Sequence, residues 1–572
     1  MSWLSRRRSL LALALLYTLL NAPKPLLVDD TAYYFFARQC AEQPTRPYAF
    51  QVFWYQWPQP ANTVLAPPVL PYWWSLGIHL FGETPWLWKL WLLPFALLFV
   101  FSLDALAQRF APGMRHVLVW LTVLSPSFLP SFNLMLDVPA VALGLTALVL
   151  CFRAIGRRSW VTAALAGLLA GLAMQTKYTS FMVPAVMLLY TVCFARSVKR
   201  VSIGLLAVML AMLLFVSWEE FVRAQHGKSH FLVNLPEYPD RAKWLESKLG
   251  LLKALLPLLG GLAPALNLLG MLAVGVPRWV CGAVAASTAL GYAAIAAFEI
   301  QPILWGDNFW VERPLEQVIF GIGGILLAAV LALVCGDLVW DDDTGEPGRG
   351  RCPPSRMVSS FLVLWLLGEL AAFFLLSTFP AARRVMGLVL IAALLICRLG
   401  SRHDLARSEQ RWVRGVVGGG IVLGLLFYAV DLLDAFAGKH AAETAGRWIS
   451  EQPVEPGAPQ PAVWYVGHWG FQFYAERAGM KPVVPSGSWL KAGDWLIVPH
   501  APTNHIEKQS IRLDERYLSE ENVVSIRSGL PWRTVMCYYG GYVPLEHHAG
   551  PRLEVTIYRV TGDWVPPDAP DR

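Results

Sequence analysis

Charge is scarce in this chain. Only 15% of its 572 residues are Asp, Glu, Lys or Arg, while 55% are apolar and the mean hydropathy is +0.45. Soluble domains carry about a quarter charged residues, so a water-facing surface along the whole length is excluded. Cysteine is thin as well, eight residues in all. Cys151, Cys193, Cys281, Cys335 and Cys397 lie in or beside apolar runs, where a thiol packs as a small hydrophobe, and Cys352 falls in a basic loop. Cys40 and Cys537 remain, with no spacing rule that pairs them. No Cys/His cluster has metal-ligand spacing, and no internal repeat is present, which weighs against transporters built from inverted halves.

What is there is a succession of apolar runs separated by short basic clusters. The net charge of +7 is therefore not one patch, and nucleic acid is not an expected partner. Arg6–Arg8, Arg109 with Arg115, Arg153 with Arg157 and Arg158, Arg196 with Lys199 and Arg200, Arg278, Arg349 with Arg351 and Arg356, and Arg398 through Arg414 recur after every second run. Placing all of them on the cytoplasmic side predicts about thirteen spans, each near the roughly 20 residues a bilayer requires. They cover 9–27, 86–106, 116–132, 137–153, 159–176, 178–195, 201–220, 251–274, 279–298, 315–336, 357–379, 384–400 and 415–435. The first has a basic start and an apolar middle but no small-residue cleavage site, so it reads as an uncleaved span. The N-terminus is then cytoplasmic.

Three stretches outside the membrane are long: 28–85, 221–250 and 436–572. Tyr33, Phe36, Ala37, Cys40 and Ala41 follow helical spacing, predicting an amphipathic helix over 31–43 on the outer leaflet. Pro67–Pro68 opens a second apolar stretch ending at Gly82, with Trp73 and Trp74 at headgroup depth. Beyond 435 the apolar runs shrink to strand length, AVWYV, DWLIV and VTIYRV, between helix-like HAAETAGRWISEQ and FQFYAERAGM. The predicted architecture is thus an all-α polytopic domain over 1–435 and a small soluble α/β domain over 436–572 on the outer side. The histidines and aromatics of that region (His468, His500, His505, His547, His548, Trp464, Tyr465, Trp469, Tyr474) read as packing and surface, and Asp341–Asp343 as a solvated loop.

Four polar constellations fall at the predicted outer boundary. Asp29–Asp30 follows the first span; one carboxylate could N-cap the next helix, but two adjacent ones repel each other at a membrane face. Asp137 opens the fourth span, again a capping position. Lys177, in the Gln175–Tyr178 turn, is a cation where positive charge is depleted. Arg383–Arg384 closes an outer loop, and two guanidinium groups there suit a phosphate. Cations to hold a phosphate leaving group and a carboxylate to deprotonate a hydroxyl form a set fitted to a lipid-phosphate substrate.

In order and sidedness, VDDTAYYFFAR, the PP-initiated segment, MLDVPA, the TKYT turn and FPAARR resemble the GT-C polyprenyl-phosphate glycosyltransferases over residues 1–435. The bacterial relatives of protein O-mannosyltransferases and of the lipid A aminoarabinose transferase are the nearest branch. The resemblance implies a bacterial plasma-membrane enzyme with an extracytoplasmic active site. It would move a sugar with inversion from an undecaprenyl- or dolichyl-phosphate donor to an acceptor hydroxyl on a lipid, glycan or protein. By position, Asp29 or Asp30 would be the base, Asp137 and Tyr33 would orient acceptor or sugar, and Lys177, Arg383 and Arg384 would hold the donor phosphate. The family's commoner acidic pair is Asp-Glu, so Asp-Asp leaves both carboxylates in play. No metal is required for a phosphomonoester leaving group; a divalent cation would signal a pyrophosphate donor. The rival classes are a flippase of a lipid-linked sugar, for which Glu369 is the one clear mid-span carboxylate, and a non-catalytic envelope assembly protein.

Overall fold

The computed structural model describes residues 3–54, 57–235, 240–297, 314–340, 356–453, 460–500, 513–534 and 541–567. Arg349, Arg351, Cys352, Cys537, Asp341–Asp343 and His505 lie outside them. Each predicted span overlaps a helix. In chain order these are α1 (Trp3–Asn21), the pair α4 (Pro85–Leu90) and α5 (Leu93–Phe110), α6 (Arg115–Val123), α7 (Asp137–Arg157) and α8 (Trp160–Met174). Then come α9 (Met182–Phe194), α10 (Val198–His226), α12 (Arg241–Leu262) with α13 (Pro264–Ala273), α14 (Arg278–Ala297), α15 (Pro314–Trp340), α16 (Arg356–Leu376), α17 (Met386–Arg402) and α19 (Gln410–Ser450). Short α11 (His230–Val233) and α18 (Leu405–Ser408) sit in loops.

The spans are less uniform than their hydropathy suggests. Among the described residues six helices are long and apolar enough to cross a bilayer, seven if α12 and α13 count as one span. That pair bends by 77° at Ala263–Pro264, because proline fixes φ and clashes with the preceding turn. The third predicted span is helical only as far as Val123, and the chain then runs as turns to the start of α7. The short helices α6 and α17 are largely buried within the protein, which replaces lipid contact with helix contact. Close approach relies on small residues: a Cβ on Gly260 of α12 or on Gly324 of α15 would strike the other helix's backbone.

The predicted amphipathic helices form, as α2 (Asp30–Glu42) and α3 (Val69–Phe81), the latter stopped by Gly82 at φ +62°. Neither simply floats on the leaflet. In α2 Tyr33, Tyr34, Phe36 and Cys40 are all buried, and Trp74 of α3 is buried with its ring 6.1 Å from that of Tyr33. A two-stranded ribbon, β1 (Gln51–Phe53) with β2 (Pro58–Pro60), lies between them.

Helix α19 runs straight through the predicted boundary at 435 to Ser450, so the strand-bearing region hangs from a continuous helix. There, β3 (Val463–Tyr465), β4 (Lys481–Pro482), β5 (Trp495–His500), β6 (Leu518–Ile526) and β9 (Leu553–Val560) form one sheet in the order β4-β3-β5-β9-β6. Its first three strands are parallel and β9 is antiparallel to both neighbours. A separate ribbon joins β7 (Trp532–Arg533) and β8 (Glu546–His547). The three predicted strands are β3, β5 and β9. Helix α20 (Trp469–Arg477), the FQFYAERAGM segment, docks on the first loop: Gly470 abuts the Leu26 carbonyl, and the Tyr474 hydroxyl accepts from the Leu26 N–H at 3.0 Å.

Candidate active site at the polar end of an apolar cleft

The segment that carries the acidic pair is shaped by Val28. Its φ of +44° is costly for a β-branched residue, and such strain is held only where the surroundings fix it. Asp29 precedes the first residue of α2 but makes no capping bond; its Oδ2 accepts from Arg383 Nη1 at 2.8 Å and is partly open to solvent. Asp30 is fully buried, and its Oδ2 accepts from the Leu27 N–H at 3.1 Å. The capping role anticipated for it is therefore not the one it plays.

Asp137 is the first residue of α7, and it too leaves the helix uncapped. Its carboxylate forms an ion pair with Lys177 and lies 3.9 Å from Arg383 Nη1. Lys177 precedes a 3-10 turn, Tyr178–Phe181, and turns inward to Asp137 instead of out to the water. Burial pushes its ammonium down to about 8; Asp137 opposes that shift, and Arg384 and Arg383 reinforce it. Arg383 and Arg384 ride a second 3-10 turn, Ala382–Arg384, with their guanidinium groups 5.8 and 4.9 Å from the Phe379 ring. Tyr33 is buried beside them; burial and then the Asp29 charge hold its phenol well above its ordinary range.

Asp137, Lys177, Arg383 and Arg384 head a cleft between α7, α9, α16 and α17. Below them the walls are apolar, with Val141, Leu145, Leu148, Val186 and Leu390 among the lining residues. From Asp137 to Leu148 the α7 wall is about 17 Å long at 1.5 Å per residue. Glu369, the mid-span carboxylate, lines the same cleft, accepts from Trp365 Nε1 at 3.0 Å and occupies space left by Gly387. Such a cleft accepts an amphiphile with an anionic head and a long hydrocarbon tail.

Six of the seven sequence-selected residues thus converge: Asp29, Asp137, Lys177, Arg383 and Arg384, with Tyr33 alongside. Asp30 is separated from them. It faces the charges of Lys89 and Lys24, in a buried seam where Lys24 pairs with Asp431 and donates to the Pro130 carbonyl at 2.8 Å. Burial pushes the Asp30 carboxyl up to about 7 against the pull of those lysines. Sequence reading passed over Lys24, Lys89 and Asp431, although three ionisable residues at the ends of apolar runs were the available signal. It also passed over Glu219, which accepts from Gln175 Nε2 at 3.1 Å, the Tyr178 hydroxyl at 3.2 Å and the Phe231 N–H at 2.8 Å, clamping the turn that carries Lys177. His230 completes that clamp, 2.5 Å from the Tyr178 hydroxyl and 3.0 Å from the Val64 carbonyl.

Fold and site together define a multi-pass membrane protein with a cation cluster at the head of an apolar cleft. Residues 66–218 match the family model described as dolichyl-phosphate-mannose-protein mannosyltransferase. The matched stretch includes Asp137 and Lys177 but neither the acidic pair nor the arginine doublet. Among solved structures the chain is similar to the oligosaccharyltransferase AglB from Archaeoglobus fulgidus, solved with an inhibitory peptide and a dolichol-phosphate. The two share 13% identity, with a TM-score of 0.45 over 84% of this chain and 65% of AglB. It is also similar to the arabinofuranosyltransferase AftD from Mycobacteria, at 14% identity and a TM-score of 0.37 over 97% of this chain and 41% of AftD. The chain therefore spans less than two thirds of either protein. No curated protein sequence matches it.

Proposed function

We propose that the protein is an integral-membrane GT-C glycosyltransferase that moves a sugar, with inversion, from a polyprenyl-phosphate donor to an acceptor hydroxyl. The site faces the side of the membrane that carries the C-terminal region, the periplasmic or external side of a bacterial plasma membrane. One observation carries the reading: a partly solvent-open carboxylate, Asp29, is hydrogen-bonded to a cation cluster at the polar mouth of a cleft that is apolar below.

The isoprenoid chain lies in the cleft and its phosphate against Lys177 and Arg384, with Arg383 shared between phosphate and Asp29. Asp29 takes the acceptor's proton as the acceptor oxygen bonds to C1 of the sugar. The C1–O bond to phosphate breaks, and the polyprenyl phosphate leaves into the same cations that held it. The hydrogen bond from Arg383 fixes the direction of the Asp29 carboxylate. Asp137 fixes the position of Lys177, and Tyr33 borders the acceptor side. Asp30 has no part in proton transfer; it is buried in the seam with Lys24 and Lys89. The two carboxylates at the site are already answered by Arg383 and Lys177, so a divalent cation is not called for and transfer survives EDTA.

Purified protein in nanodiscs with a radiolabelled undecaprenyl-phosphate sugar and an extract of envelope acceptors tests the reading. Transfer abolished in Asp29→Asn but retained in Asp30→Asn supports it. Wild-type transfer by folded Asp29→Asn refutes the assignment of the base. A flippase would instead move the labelled lipid between leaflets without transferring its sugar.

A further inference from the structure

A second cavity, open to solvent and lined by residues none of which lines the cleft, lies between α1, α4, α19 and α20. We propose that it binds the headgroup of a membrane phospholipid, with the phosphodiester between Lys439 and Arg477 and the acyl chains running down past Leu19 and Leu90.

Three observations carry the inference. The first is depth. Lys439 lies four residues beyond the last predicted membrane residue of α19, about 6 Å further along the helix axis. That is the thickness, on the order of 6 Å, of the polar layer above the hydrocarbon. Leu19 and Trp86, also lining the cavity, are 58% and 53% exposed, so the opening faces the bilayer margin with an aromatic at its rim.

The second is the way the two cations are held. The Lys439 ammonium stands 5.9 Å from the Tyr474 ring centroid and 6.0 Å from that of Phe436. The Arg477 guanidinium stands 5.5 Å from the Phe473 ring and donates to the Glu83 carbonyl at a long 3.4 Å. Aromatic faces fix the direction of both groups while leaving donors for a ligand.

The third is charge. Glu443 also lines the cavity, 3.8 Å from Lys439. Two cations and one carboxylate leave a net +1, which matches one phosphodiester and is too little for a polyanionic head. Lys24 lines the cavity as well, but its ammonium is spent on Asp431. The site is distinct from the donor cleft, and nothing in the inference depends on glycosyl transfer.

The test is retention of lipid by the full chain in native mass spectrometry from detergent. Wild-type protein should retain added phosphatidylglycerol and not diacylglycerol of the same chains. The double variant Lys439→Ala/Arg477→Ala should retain phosphatidylglycerol roughly 30-fold less, two juxtamembrane cations being removed. Arg477 is exposed and Lys439 half-buried on the cavity wall, so folding should survive; the exchange Lys439→Arg/Arg477→Lys, which keeps both charges, should restore retention. Equal retention of the two lipids, or no loss in the double variant, overturns the proposal. Displacement of phosphatidylglycerol by millimolar inorganic phosphate alone also overturns it, because the site would then read phosphate and not a lipid.

Discussion

Asp29 and Arg383 stand 354 residues apart in the chain and share a hydrogen bond of 2.8 Å. The bond ties the loop after the first helix to the loop before α17, and it sets a carboxylate against the cations at the mouth of the cleft. Asp29→Asn keeps the shape and hydrogen-bonding reach of the side chain but cannot accept a proton. It should lower kcat by about 10²- to 10⁴-fold, the usual contribution of a general base, with little change in KM for the lipid donor. Steady-state kinetics with varied donor measures this; a rise in KM at constant kcat would make Asp29 a binding group instead.

The neighbouring carboxylate should behave differently. Asp30→Asn replaces the carboxyl with a neutral group that cannot ionise, so thermal unfolding in detergent at pH 8 should show stability equal to or above that of the wild type, with kcat close to wild type. Linkage gives the sign at the wild-type residue. Burial raises the Asp30 pKa from its ordinary range to about 7, so its contribution is greatest when protonated and declines as pH rises through 7. Wild-type stability should therefore depend on pH between about 4 and 7 in a way that Asp30→Asn abolishes.

Lys177 sets a limit on the alkaline side. Its ammonium must be charged to hold a phosphate, and burial places its pKa at about 8, so donor affinity in the wild type should fall as pH rises through 8. Lys177→Arg should extend the plateau beyond pH 9, because guanidinium keeps its proton there. A kcat/KM profile identical for the two proteins would contradict the role given to Lys177.

Much of this fold was legible because the physics that writes it is local. Hydropathy marks the long helices α5, α7, α10, α15, α16 and α19, Pro67–Pro68 and Gly82 bracket α3, and the three strand-length runs become β3, β5 and β9. The convergence of Asp29, Asp137, Lys177 and Arg383 was legible as chemistry, since charges of both signs at one membrane boundary require partners. The division of labour between Asp29 and Asp30 was not. It depends on Val28 adopting a left-handed conformation that its own side chain disfavours, on Lys24 of the same loop and on Lys89 of α4. Nor does periodicity reveal what covers an amphipathic helix: α2 packs against α3 and α20, with Tyr33 against Trp74 and Tyr34 against Phe473. The kink at Ala263–Pro264 and the continuity of α19 into the C-terminal region are tertiary outcomes that a window of hydropathy averages away.

Helix contact in the membrane supplies a stability test. Gly260 of α12 and Gly324 of α15 sit where any Cβ meets the partner's backbone, while Gly415 and Gly418 of α19 have open space around them. Gly260→Ala or Gly324→Ala should destabilise the protein by about 1–3 kcal/mol through overpacking, whereas Gly415→Ala and Gly418→Ala should be neutral or slightly stabilising. Melting temperatures of the four variants in one detergent settle the comparison, and equal melting temperatures would contradict the packing described.

The central claim is that the cations at the cleft mouth hold a lipid-borne phosphate, and equilibrium binding of undecaprenyl phosphate to purified protein tests it most directly. Lys177→Ala and Arg384→Ala should each weaken binding by about tenfold or more, a loss of about 1.5–3 kcal/mol for a charge-assisted contact, while Asp29→Asn should bind as well as wild type. Undiminished binding in the Lys177→Ala/Arg384→Ala double variant would show that the phosphate is held elsewhere.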